Sequence, residues 1–338
     1  MAMKKLTGTL LFFVFCIFVC VGCSNKTGEI AETVVTEAWS AGFVSRDTAT
    51  MAPPSEEDST VPDKSSSSDD RMNDLTERDS DVPFASNDDE HIRSRSEYGV
   101  FIGINEKESD RLEQYKLVVI EPSEFSAMYI EKLHAAEKTV YGYLNIGSVE
   151  EYRFYYDQFQ ELFLGVYDDW PDEQWIDVAS PKWQNFIIDE LGKQYADMGL
   201  DGLFLDNADV FYYHPAEDIF LGLCAIMQGL RKYDLKLIVN GGDCFVSKCM
   251  EKGIALTLFD GVNQETVFTS IDFENQSYGV QSEEETAYFK KYLAKVKEYG
   301  LSVCLLEYEA NRSLSGKIDA YCSENNFLWY NANGIELR

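Results

Sequence analysis

Eight short runs rich in Val, Ile, Leu, Phe and Tyr recur between residue 98 and the C-terminal residue. Each is followed by one or two polar residues and then by a stretch with apolar positions at helical spacing. The runs fall near 99–104, 116–120, 139–145, 202–206, 236–240, 259–264, 301–307 and 326–331. Continuous apolar runs alternating with helical patterns are the mark of strands buried on both faces in a parallel sheet. Eight of them predict a (β/α)8 TIM barrel. The rival, a doubly wound sheet, lacks the Gly-x-Gly-x-x-Gly turn after its first strand that the dinucleotide-binding form needs.

Helix-start signals fall between the strands. Ser180-Pro181 places a capping residue before a proline at the first helical position and predicts a helix through Asp197. Ser148 with Glu151, and Ser282 with Glu285, both fit the capping box. Residues 162–179 and 266–281 are expected to be long loops that build a cleft. Only seven residues follow the last run. The barrel is therefore predicted without its eighth helix, with residues just before Tyr98 expected to cover the last strand.

The first 97 residues read differently. Lys4 and Lys5 precede an apolar stretch from Leu10 to Val19, too short to span a bilayer, so residues 1–23 are expected to be an export signal. It ends Cys20-Val21-Gly22-Cys23, which resembles a lipobox and makes Cys23 the expected lipidation site. Residues 24–97 carry 18 acidic and 7 basic side chains and only three aromatic ones. That composition buries too little apolar surface to offset ordering entropy and predicts a disordered acidic spacer. The alternatives here are an uncleaved hydrophobic anchor or a plain secretory peptide for the signal, and an acidic recognition tail for the spacer.

What remains, residues 98–338, is long enough for one core. It holds 41 acids, 20 bases and 39 of the 46 aromatic residues, a net charge of -21 out of -30 for the chain. A surface so acidic disfavours nucleic acid and other polyanions and suits a neutral or cationic ligand that stacks on rings. The five cysteines of this part form no Cys-x-x-Cys pair and the chain has three histidines, so no zinc site is expected. One or two disulfides are compatible with export.

In a barrel the chemistry sits at the C-terminal ends of the strands. Those ends present Glu121, then Tyr143 and Asn145, Asp206 with Asn207 and Asp209, Asn240, Glu265, and Glu307 with Tyr308. Period-2 alternation puts Asp206 with Phe204, Glu265 with Asn263 and Glu307 with Leu305, so the carboxylates are expected to converge on one rim. Several carboxylates without a His, Cys or Lys nucleophile pattern fit glycoside hydrolysis, which needs one carboxyl as acid and another as nucleophile or base. Two other readings stay open. Asp206 and Asp209 could hold a hard cation for metal-assisted hydrolysis, or the barrel could bind carbohydrate without turning it over. Tyr143, Tyr212, Tyr213, Trp170 and Trp175 could serve as stacking platforms.

Three segments carry a family resemblance. Gly142-Tyr-Leu-Asn-Ile-Gly-Ser-Val-Glu150 with Glu151-Tyr-Arg153, then Gly199-Leu-Asp-Gly-Leu-Phe-Leu-Asp-Asn-Ala-Asp209, and Leu305-Leu-Glu-Tyr308 resemble glycoside hydrolase family 114, the endo-α-1,4-polygalactosaminidase group. The resemblance runs over essentially all of residues 98–331. It implies a TIM barrel and internal cleavage of α-1,4-linked galactosamine polymers, whose amines are cationic. It also places the catalytic pair on strands four and six, at Asp206 as nucleophile and Glu265 as acid/base. Glu121, Tyr143, Asn145, Glu150, Asn207, Asp209, Asn240, Glu307 and Tyr308 are the expected substrate contacts. No cofactor is called for; the expected partners are a polysaccharide and, through Cys23, a membrane, with the protein a monomer.

Overall fold

A computed structural model describes residues 97–338 apart from Asp169. The export signal, Cys23 and, but for Glu97, the spacer expected over 24–97 lie outside the described residues. So do the residues expected to cover the last strand.

Eight parallel strands make the central sheet: β1 (Tyr98–Phe101), β2 (Leu117–Ile120), β3 (Thr139–Asn145), β7 (Gly202–Asp206), β8 (Lys236–Asn240), β9 (Gly261–Glu265), β12 (Ser302–Tyr308) and β13 (Leu328–Ala332). They neighbour one another in that order, and β1 lies beside β13, so the sheet curls into a nearly closed barrel. This is the predicted (β/α)8 TIM barrel, with each strand within three residues of its expected place. The barrel strands are buried along almost their whole length, which is why contiguous apolar runs revealed them. Helices Ala127–Ala135, Glu217–Leu230, Asp243–Glu251, Glu283–Tyr299 and Arg312–Asn325 follow β2, β7, β8, β9 and β12. The one expected after Ser180 runs over 181–197 and passes through a π-helical stretch, Phe186–Gly192.

Both long connections prove to be sheets rather than loops. After β3 the chain forms β4 (Ser148–Glu150), β5 (Phe163–Tyr167) and β6 (Trp170–Ile176), an antiparallel sheet in the order β4-β6-β5. After β9 it forms the hairpin β10 (Thr269–Asp272) and β11 (Ser277–Val280). Ser148 therefore caps no helix: it lies in β4 and its hydroxyl donates to Glu173. Ser282 does cap, accepting from the Glu285 N–H, but its own N–H is bound by Gln281 rather than by a returning Glu285.

Past Ala332 the described chain forms no helix. It turns back over the C-terminal mouth, where Gly103 N–H donates to the carbonyl of Leu337 and Leu337 is buried. Near the seam, Phe101, Tyr115 and Tyr330 pack as a trio with centroids 5.0 to 5.6 Å apart. That cluster covers part of the strand left without a helix of its own. Cys224, Cys244, Cys249, Cys304 and Cys322 form no disulfide.

Candidate active site

A cleft of about 940 Å³ opens at the C-terminal ends of the strands, at the upper end of the range for small-molecule sites. Asp206 ends β7 and Glu265 ends β9, one barrel strand apart, and the strand between them ends in Asn240. Asn240 Nδ2 donates to Asp206 Oδ1 at 2.8 Å and to Glu265 Oε1 at 2.7 Å. With both on one nitrogen, those oxygens can lie no more than about 5.5 Å apart. That falls in the range of carboxyl pairs that work by double displacement, roughly 5 to 5.5 Å, and short of the roughly 6.5 Å at which a water fits between them.

Each carboxyl has a second partner. Tyr143 Oη donates to Asp206 Oδ2 at 2.8 Å, and the Tyr308 hydroxyl donates to Glu265 Oε2. Burial raises the pKa of Asp206, and bonds from Asn240, Tyr143 and the backbone at Asn207 oppose it. Glu265 is raised by burial and then by the charge of Asp206, with bonds from Tyr308 and Asn240 opposing. A hydrogen bond to an ionised carboxylate favours ionisation, whereas a like charge nearby disfavours it. Glu150 adds a smaller upward push at Asp206, which has the larger set of donors, whereas at Glu265 the Asp206 charge ranks directly after burial; the two titrate as a pair in which a single proton is favoured on Glu265.

The backbone after each of these strands is bent sharply. Asn207, Thr266 and Glu309, which follow Asp206, Glu265 and Tyr308, all have φ between +51° and +63°. Non-glycine residues in that region are costly and concentrate where a functional geometry is enforced. After Asn240 the turn is made by Gly241 and Gly242, both left-handed. A side chain on Gly241 would strike the Asp209 carboxylate at 2.7 Å, the group that accepts from the Gly242 N–H. Asp209 thus braces the turn after β8 while lining the cleft. Burial, then Asp206 and Asp243, push its pKa up to about 7.

One wall of the cleft holds a cation between two acids. Arg153 donates to Glu121 at 3.0 Å and to Glu150 at 2.9 and 3.1 Å. Burial works against its charge, but Glu150 and Glu121 outweigh it and hold Arg153 protonated. Glu121 also accepts from the Ser123 N–H and hydroxyl. Both expected contacts line the cleft, but with these partners already in place.

Sequence reasoning missed Glu173, which lies directly opposite Glu150 across the β4–β6 pair. Like charges so placed repel. Arg153 neutralises Glu150, and Glu173 is pushed up to about 7 by burial and then by Glu150. Its Oε2 accepts from the Ser148 hydroxyl at 2.6 Å, with Asn145 and Asn207 at 3.5 and 3.4 Å. The sequence offered little signal for it, since 170–176 is neither an unbroken apolar run nor a clean alternation. Trp170 on β6 and Phe273 on the β10–β11 hairpin meet edge to face at 5.5 Å on the cleft lip. Trp175, Tyr212 and Tyr213 are not part of the cleft lining, whereas Tyr143 and Trp170 are.

Two expected substrate contacts are corrected. Asn145 does not line the cleft: it is sealed, and its amide donates to Ser148. Glu307 is fully buried and also absent from the lining. In the β12–β9 register Leu306, not Glu307, sits beside Glu265, so the expected parity was one residue off and Tyr308 faces the cleft instead. Glu307 Oε2 accepts from the Thr269 hydroxyl at 2.6 Å and the Thr269 N–H at 2.8 Å, and its Oε1 accepts from Phe268. The Thr269 hydroxyl in turn accepts from the Tyr308 N–H. Glu307→Ala is expected to strand these buried donors and cost about 3 kcal/mol of stability, read as a lower urea midpoint. The soluble variant should keep KM within about twofold if Glu307 only braces the β10 loop. Among the described residues, no group of three or more His, Cys, Asp or Glu side chains is arranged to hold a metal ion.

Residues 85–327 match the model of glycoside-hydrolase family GH114. The barrel superposes on the glycoside hydrolase domain of PelA from Pseudomonas aeruginosa with a TM-score of 0.61 and 17% identity, covering 71% of this chain and 96% of that one. It superposes on Aspergillus fumigatus Ega3, solved in complex with galactosamine, with a TM-score of 0.55 and 17% identity, covering 72% and 93%. An uncharacterized protein of Methanocaldococcus jannaschii is 33% identical over 98 residues, 28% of each chain. One of Thermotoga maritima is 29% identical over 104 residues, 29% of this chain and 32% of that one. The chain therefore spans less than a third of the length of these curated relatives.

Proposed function

The chain belongs to glycoside hydrolase family GH114, and we propose that it cleaves α-1,4-linked galactosamine polymers internally, as a lipid-anchored protein outside the cytoplasm. One observation carries the substrate class. Among the described residues, nine carboxylic acids line the cleft, from Glu121 on one side to Glu336 on the other, and no Lys, Arg or His lines it. Arg153 stands behind that lining, bound by Glu121 and Glu150. Low-dielectric walls carrying one sign of charge concentrate the opposite sign. A polymer with an ammonium on each sugar meets that demand, and a polyanion is repelled. Ega3, which shares the fold, was solved with galactosamine.

The mechanism proposed is double displacement. Asp206 attacks the anomeric carbon and the bond to the leaving oxygen breaks as Glu265 hands that oxygen its proton. Glu265, now ionised, takes a proton from water, which attacks the same carbon and releases Asp206. The short separation enforced by Asn240 supports this over single displacement, and it favours turnover over binding alone. Asn207, Asn240, Tyr143 and Tyr308 are proposed to orient the sugar and the two acids.

Cys23 is proposed to anchor the domain, with residues 24–97 as its tether. Both rest on composition and the lipobox-like end of the signal.

The test is digestion of defined α-1,4 oligomers, one set fully N-acetylated and one deacetylated, with product lengths read by mass spectrometry. Deacetylated oligomers are expected to be cut at internal bonds at least about tenfold faster, the equivalent of one net ion-pair contact. Equal rates on both sets would remove the cationic reading.

A further inference from the structure

Inside the barrel, below the two acids, three buried polar side chains form a line from the first strand to the fifth in sheet order. Tyr98 Oη donates to Asn263 Oδ1 at 3.0 Å, and Asn263 Nδ2 donates to Asn240 Oδ1 at 2.7 Å. Asn240 Nδ2 then donates both of its protons, one to Asp206 and one to Glu265. Tyr98 and Asn263 are fully buried and neither lines the cleft, so neither can touch a sugar. Polar groups in a barrel interior are costly unless each is paired, and here each has a partner.

An amide has two ends of nearly equal shape and opposite hydrogen-bonding sense. Turned over, Asn240 would point its carbonyl at two acids and its NH₂ at the NH₂ of Asn263. Asn263 forbids that while its own NH₂ faces Asn240, and the Tyr98 hydroxyl favours this orientation, because a reversed Asn263 would take from its buried proton the carbonyl that now accepts it.

We infer that Tyr98 and Asn263 are positioning residues of this hydrolase: they lock the Asn240 amide in the one orientation that donates to Asp206 and Glu265 together and so set the spacing of the two carboxyls. The inference rests on the proposal that those two acids are the catalytic pair. Without the lock, Asn240 spends part of its time turned away, the carboxylates lose a donor, and both acids hold their protons to higher pH. The other groups facing Asp206 are Tyr143, Glu150, Glu173, Asp209, Glu265 and Tyr308. Glu265 is faced by Asp206, Tyr308 and Tyr98. The carboxyls, Tyr143 and Tyr308 remain in place in both variants; Tyr98→Phe also takes the Tyr98 hydroxyl from beside Glu265, whereas Asn263→Leu, a near-isosteric change, keeps it.

Two variants of the full chain, Tyr98→Phe and Asn263→Leu, test this. The pH profile of kcat is measured on deacetylated galactosamine oligomers. In the substrate-free proteins, the side-chain carboxyls of Asp206 and Glu265 are titrated by ¹³C NMR. The lock requires a drop in kcat of about tenfold with KM within about twofold, and an acid limb moved upward by about half to one pH unit. The NMR titration of Asp206 should move the same way. A profile and a carboxyl titration that match the wild type in either folded variant would overturn the inference, because a merely structural role leaves both unmoved. Should the wild type fail to cut the oligomers, the substrate reading has failed instead, and the NMR titration alone decides the lock.

Discussion

Asp206→Asn is expected to lower the rate of reducing-end release by roughly 10⁴-fold or more, with KM little changed. Removing one member of a catalytic unit costs nearly as much as removing the unit. The amide is no nucleophile, so the first displacement has no attacking group. It also presents an NH₂ or a neutral oxygen where Asn240 and Tyr143 both donate, at 2.8 Å each. Stability should move in the opposite direction. The pKa of Asp206 is raised in the folded protein, first by burial. A carboxyl raised on folding stabilises below its unfolded pKa and loses that contribution as pH rises through the folded value. At neutral pH ionised Asp206 is therefore a net cost, and the Asn variant should melt at the wild-type temperature or above it. Loss of activity together with a fall in melting temperature would point to a structural role instead.

Glu265→Gln is the second large effect, a loss of about 10²- to 10⁴-fold, the usual worth of a positioned general acid. The loss should shrink on a glycoside whose leaving group needs no proton and stay large on the polymer. The pH profile gives an independent check. Burial and the Asp206 charge raise the pKa of Glu265, so activity should fall on the alkaline side as Glu265 ionises and on the acid side as Asp206 takes a proton. The two limbs belong to the pair rather than to either residue, because the groups share a donor and repel. In the Gln variant the alkaline limb should vanish while the acid limb stays. An alkaline limb that survives in Glu265→Gln would assign the acid to another group, of which Glu173 and Asp209, both pushed up to about 7, are the candidates in the cleft.

The barrel was legible because its strands are buried on both faces and read as unbroken apolar runs, such as Gly202-Leu-Phe-Leu-Asp206. Asp206 and Glu265 were legible because strand ends are where a barrel presents chemistry. The sheets above the barrel were not. Trp170-Pro-Asp-Glu-Gln-Trp-Ile176 has neither an apolar run nor a clean alternation, since its first half is exposed and only its end is buried. Glu173 was lost with it. Glu307 misled for another reason: an acid at the end of a buried strand looks the same whether it faces the cleft or the neighbouring loop, and a register shift of one residue decides between them. The bridging role of Asn240 could not be read at all, because which side chains share a nitrogen is settled only by the packing of three strands. The C-terminal turn, with Ile335, Glu336 and Leu337 on the cleft wall, likewise has no local signal.

The most direct test of the central claim, that Asp206 and Glu265 act as a closely spaced pair in double displacement, is the anomeric form of the first product. Proton NMR of an α-1,4 galactosamine oligomer during the first minutes of digestion separates the new reducing end into its α and β signals before they equilibrate. Double displacement requires the α signal to appear first and the β signal to grow later by mutarotation. A β signal that appears first would mean that water attacks directly, and would contradict both the role of Asp206 as nucleophile and the spacing that Asn240 imposes.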